Sequence, residues 1–256
     1  MNRIQLLARP SQDELYQQQV SEAIERVENG VAVVDAARYS HGSAEHCALF
    51  APLHYEPNYA YPLVVWLHGP DDNETQLRRI MPLISLRNYV AVSPRGTVET
   101  RRSDSGKMGY GWRQSEPDVV AAEQRVFDSI ALAEKKFNIG QRRIFLAGYD
   151  CGGTMAFRIA HNHPQRFAGI VSLGGAFPSD RAPLRRLVEA RRLPVFLTCG
   201  RDSVKYSSDK VCQNLRLFHT AGIDISLRQY PCGQEITTNM LSDLDRWMMD
   251  LVAKSA

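Results

Sequence analysis

The sequence predicts an α/β domain, a mostly parallel central sheet with helices on both faces, and three observations carry the prediction. First, several short apolar runs are continuous rather than alternating, as strands buried on both faces must be. They are PLVVWLHG (62–69), YVAVSP (89–94), RIFLAG (143–148), AGIVSLG (168–174) and PVFLTCG (194–200). Second, helical patterns fall between these runs, which is the alternation of a parallel sheet with crossover helices. Third, 256 residues with 44% hydrophobic content suffice for one substantial core.

The remaining elements follow the same logic. Ser11 and Glu14 form a capping box ahead of a helix carrying Leu15, Val20, Ile24 and Val27, with Gly30 as its stop signal. Residues 1–30 therefore read as a helical extension and 31–256 as one α/β domain. Ser115 and Pro117 open a helix running through Val120, Val126, Ile130 and Phe137 to Gly140. Another starts just after Asp150 and ends before Pro164, and a last one carries Leu241, Leu244, Trp247, Met248 and Leu251. ISLRQYP (225–231) is more polar and reads as a strand near an edge.

Charge and cysteine usage exclude several roles. The 31 basic and 28 acidic residues leave a net charge of +3, too even to predict nucleic acid as a partner. The paired arginines are scattered and read as solvated faces. No apolar stretch has signal-peptide or membrane-spanning length, so a cytoplasmic location is expected. Five cysteines, widely spaced and odd in number, read as free thiols, mostly buried. No cofactor and no metal are expected.

In parallel sheets ligands sit beyond the C-terminal ends of the strands. There, RIFLAGYDCGGTMAFRIA (143–160) spells a strand, a glycine-flanked sharp turn and a helix. It resembles the nucleophile elbow of α/β-hydrolases, G-x-Nuc-x-G, with Asp150 at the nucleophile position. From about Tyr61 to the last helix the chain resembles the phospholipase/carboxylesterase family. WLHGP (66–70) looks like its strand-end HG motif, and GYGWRQ (109–114), with Trp112, like a loop lining the acyl pocket. CGRDS (199–203) puts Asp202 at the triad acid, and YPCGQEI (230–236) puts Gln234 where the family has histidine. Only residues 174–193 separate two core strands, which leaves no room for a cap domain.

What the resemblance implies is then a triad-equivalent set of Asp150, Asp202 and Gln234, flanked by His68, Gly69, Pro70, Trp112, Cys151 and Gly152. Asp150 is an anion that would repel a developing oxyanion, and Gln234 has no lone pair basic enough to take a proton. Pro70 has no N–H, so of two oxyanion donors the one from Cys151 remains. The resemblance therefore implies a catalytically silent hydrolase fold that binds a small-molecule ligand or ester-like substrate. Two alternatives stay open. One is an Asp150 nucleophile of the dehalogenase or epoxide-hydrolase type, for which His219 is the one histidine after Asp202. The other is hydrolysis by another constellation: Cys151, His68, or a cation held by Asp150 and Asp202.

Overall fold

The computed structural model describes residues 46–102, 108–178 and 187–254. The helix expected at Ser11–Gly30 lies outside them.

Nine strands and six α-helices follow one another in these segments. The strands are β1 (Cys47–Phe50), β2 (Tyr61–Leu67), β3 (Val90–Pro94), β4 (Val98–Arg102), β5 (Met108–Gly111), β6 (Ile139–Tyr149), β7 (Gly169–Leu173), β8 (Val195–Gly200) and β9 (Ile225–Tyr230). The helices are α1 (Gln76–Ile84), α2 (Glu116–Lys136), α3 (Cys151–Asn162), α4 (Leu187–Ala190), α5 (Ser208–Ala221) and α6 (Thr238–Lys254).

Seven strands form one sheet in the order β1-β3-β2-β6-β7-β8-β9, and β4 pairs with β5 in a separate hairpin. Only β1 runs antiparallel in the large sheet; the other pairings are parallel. β9 lies at an edge, which accounts for its polar sequence.

Alternation along each strand builds two cores. Leu63, Val65 and Leu67 of β2 face one side, where they join Val126 and Ile130 of α2, Met155 and Ile159 of α3, and Phe218 of α5. Val64 and Trp66 face the other, with Leu77 and Met81 of α1 and Leu244 and Met248 of α6. Period-2 side chains on a sheet covered on both faces require this division. The indole of Trp66 would bury an unpaired donor there, and it donates to Gln76 Oε1 at 2.7 Å.

Helix α2 begins at its expected cap, Ser115, with Pro117 in the first turn and Lys135 and Lys136 in the last. Sequence reading misses β1, the β4–β5 hairpin and α1. Pro82 stands inside α1 and looks like a stop, yet four apolar residues of that helix remain buried.

Candidate functional site

Strands β2, β6, β7, β8 and β9 end on one edge of the sheet, and their following loops gather there. The sharpest is the turn from β6 into α3. Asp150 caps α3 at φ 51° and ψ −117°, a conformation costly for a residue with a Cβ, roughly 1–3 kcal/mol. It is held there from both sides: Asp150 N–H donates to Leu173 O at 2.9 Å, and Thr154 N–H donates to Asp150 O at 3.0 Å.

Close packing fixes the same turn. A Cβ on Gly148 would lie 2.4 Å from the Gly152 carbonyl carbon, and one on Gly152 would lie 2.3 Å from Leu67 O. Both positions therefore need glycine to bring α3 against β2 and β6.

The turn aims a carboxylate into a set of side chains from distant loops. Lys205 Nζ donates to both oxygens of Asp150, at 2.6 and 2.7 Å. Gln234 Nε2 donates to Asp150 Oδ2 at 3.1 Å and to Gly174 O at 2.7 Å. Ser203 Oγ donates to Gln234 Oε1 at 2.6 Å and accepts from Tyr206 N–H at 3.1 Å. The amide of Gln234 is thus oriented at both ends. The Asp150 side chain is 7% exposed, whereas that of Lys205 is 58% exposed.

Asp202 does not join this set. Its carboxylate is 59% exposed and pairs with its neighbour Arg201 at 3.2 Å, while its N–H is tied to Cys232 O. That backbone bond directs the next residue, Ser203, inward to Gln234, so the residue facing the amide stands one place after the expected one. Lys205 also escapes sequence reading, because nothing near it marks a partner 55 residues away.

The flanking residues form a rigid wall. His68 is fully buried; its Nε2 accepts from Gly96 N–H at 2.9 Å and its Nδ1–H donates to Gly69 O at 2.8 Å. Burial holds its pKa below the ordinary histidine value. Both nitrogens being used by backbone, His68 has no lone pair to offer as a base. Trp112 is 3% exposed and donates from Nε1 to His68 O at 3.0 Å. Gly69 packs against the Tyr149 ring, and Pro70 is exposed.

Cys151 is half-buried at the start of α3. Burial pushes its thiol pKa up, and the Asp150 carboxylate adds to the rise. Its side chain is therefore a poor thiolate nucleophile. Gln114 bridges this wall, donating to Trp112 O at 2.9 Å and accepting from Arg158 Nε at 2.7 Å. Among the described residues no three His, Cys, Asp or Glu side chains are grouped to hold a metal. His219 lies exposed on α5, near its C-terminal end.

A mostly parallel sheet with this strand-to-helix turn and these gathered loops defines an α/β-hydrolase-fold protein. The phospholipase/carboxylesterase family model matches residues 56–250, and the chain belongs to that family. An acyl-protein thioesterase 1 homolog from Dictyostelium discoideum is 24% identical over 180 residues, 64% of this chain and 78% of that protein. Epoxide hydrolase B of Mycobacterium tuberculosis is 30% identical over 123 residues, 47% of this chain but 31% of its own length. The crystal structure of Arabidopsis thaliana SOBER1 superposes with a TM-score of 0.63 at 18% identity, covering 75% of this chain and 100% of the other. Among the described residues no helix is long and apolar enough to cross a membrane.

Proposed function

We propose that this member of the family is silent as a serine esterase and keeps its site as a cytoplasmic binding pocket for a small molecule. One observation carries the reading: the side chain presented by the elbow is a buried carboxylate, ion-paired to Lys205 and hydrogen-bonded to Gln234. Asp150 and Gln234 stand at the nucleophile and base positions, and with Asp202, at the acid position, paired to Arg201, the group that meets the Gln234 amide is Ser203. A carboxylate attacking an ester would form an anhydride, a neutral amide accepts no proton near pH 7, and a serine hydroxyl does not orient a base by charge. Pro70 supplies no oxyanion N–H; losing one such donor costs about 10²–10³ in rate.

The match to an epoxide hydrolase favours a second reading, Asp150 as an alkyl-accepting nucleophile. Its two oxygens, however, are occupied by Lys205 and Gln234, and among the described residues no imidazole is hydrogen-bonded to them to release an alkyl-enzyme ester. One experiment tests both readings. Short-chain nitrophenyl esters should turn over no faster than with heat-denatured protein, and a reactive epoxide should leave no mass adduct on the 143–160 peptide. Saturable turnover lost in Asp150→Asn would sink the silent reading, and an adduct blocked by that substitution would establish the nucleophile.

A further inference from the structure

The Asp150–Lys205 pair is unequal. The carboxylate is 7% exposed and the ammonium chain 58%. Asp150 is committed to its place by the backbone bonds to Leu173 and Thr154 and by the amide of Gln234. The side chain of Lys205 is committed only by its tip, while its backbone carbonyl accepts from Lys210 Nζ at 3.1 Å. It extends from a surface loop in which Val204 is 92% exposed, while the loop itself is pinned on either side by Ser203 and the buried Tyr206.

The two halves therefore have different needs. A nearly buried carboxylate favours a cation beside it wherever Lys205 goes, since an unpaired charge largely out of water is disfavoured. A half-exposed lysine gains little from the pair and loses rotamer freedom to keep it. Gln234 cannot neutralise the carboxylate; it supplies one neutral N–H, and its oxygen is taken by Ser203.

We propose that Lys205 is a built-in stand-in for the ligand, and that the pocket binds a primary alkylammonium group in its place. The proposal rests on the silent-site reading and names its ligand class. The incoming group donates two N–H bonds to Asp150 Oδ1 and Oδ2, as Lys205 does now, and Lys205 turns out to solvent without disturbing the loop anchors. A quaternary ammonium has the charge but no N–H and is excluded from this geometry; an alcohol has no charge. The source is either a free alkylamine or the lysine side chain of a peptide.

The side-chain amide of Gln234, one bond from Asp150, is a local reporter by ¹H–¹⁵N NMR. Titrating Lys205→Met with n-butylammonium should shift that resonance saturably, about tenfold tighter than in the native chain, because an internal competitor at high effective concentration is gone. Butan-1-ol and butyltrimethylammonium should leave it unmoved, and Lys205→Met combined with Asp150→Asn should abolish the response. N-acetyl-lysine methylamide titrated alongside assigns the source: tighter binding than n-butylammonium points to a lysine side chain, weaker binding to a free amine. Lys205→Ala serves as a second opened variant, with thermal melts confirming that each protein is folded. Binding no tighter in either opened variant, an equal response to butan-1-ol, or a response that survives Asp150→Asn would overturn the proposal. Nitrophenyl-ester turnover is measured on the same samples. Turnover without amine binding rejects the silent reading, whereas neither signal rejects the ammonium ligand alone.

Discussion

His68 and Asp150 end neighbouring strands, both are almost completely buried, and they are held in opposite ways. Every hydrogen bond recorded for the His68 ring goes to backbone, to Gly96 N–H and Gly69 O. The carboxylate of Asp150 is met by side chains, Lys205 and Gln234, each from a different loop. Groups satisfied by backbone are part of the frame, since their partners cannot change without moving a strand end. Groups satisfied by side chains belong to the chemistry, since one substitution replaces a partner and leaves the fold in place. The same division runs through the elbow. Its glycines and its positive φ answer to packing, whereas the side chain it displays is free to be an aspartate.

The largest effect expected from this contrast is at His68. His68→Ala leaves Gly96 N–H without its acceptor in a dry region and opens a cavity beside Trp112. It should destabilise the protein by about 3 kcal/mol, read as a lower urea midpoint at unchanged slope. A loss under about 1 kcal/mol would mean that water or a side chain replaces the imidazole, and the contrast between frame and chemistry would weaken.

A smaller effect is expected where side chains hold one another. Lys205→Met should cost about 1 kcal/mol, because the lost ion pair is half in water yet leaves a nearly buried carboxylate behind. Adding Asp150→Asn to that variant should restore most of the loss, since the asparagine keeps an oxygen for Gln234 and removes the uncompensated charge. Urea unfolding of the two single variants and the double gives the coupling directly. A coupling near zero would show that the pair contributes nothing to stability.

The contrast also explains what the sequence makes legible. The sheet is readable because its buried strands are continuous apolar runs, and the elbow is readable because close packing demands glycines at fixed spacing. Both belong to the frame. The carboxylate's partners are not readable in this way. CGRDS ends in two polar residues, Asp202 and Ser203, and which one faces inward depends on a backbone bond from Asp202 to Cys232 that no local pattern encodes. Lys205 lies two residues further on and meets Asp150 only because β6 and β8 share a sheet. Gln234 is found because a motif carries it, and its orientation by Ser203 is seen only in three dimensions.

The smallest effect concerns a buried group that neither frame nor site uses fully. His161 on α3 is 4% exposed; Nδ1–H donates to Phe157 O at 2.8 Å, and Nε2 has no partner. Phe157 and Phe177 pack against the imidazole, with ring centroids at 5.9 and 5.5 Å. Burial lowers its pKa below the ordinary value of 6.5, as it does for His68. The sign follows from proton uptake. Below about pH 6.5 the unfolded chain takes up a proton that the folded chain refuses. The neutral imidazole's contribution is therefore intact above that pH and is lost as the pH falls toward the lowered folded value. Each such histidine adds a slope of about 1.4 kcal/mol per pH unit inside the window. His161→Leu removes one of these slopes and replaces an orphaned nitrogen with a good helix former of similar reach. The variant should match or slightly exceed the native chain at pH 8. Its advantage should grow as the pH falls from 6.5 to 5.5, by no more than about 1 kcal/mol, because the unfolded imidazole is only half protonated at the top of that interval. Urea midpoints at these three pH values decide it. An advantage that does not grow would mean that the native state accepts the proton on His161, with the Phe157–Phe177 cluster opening to admit water.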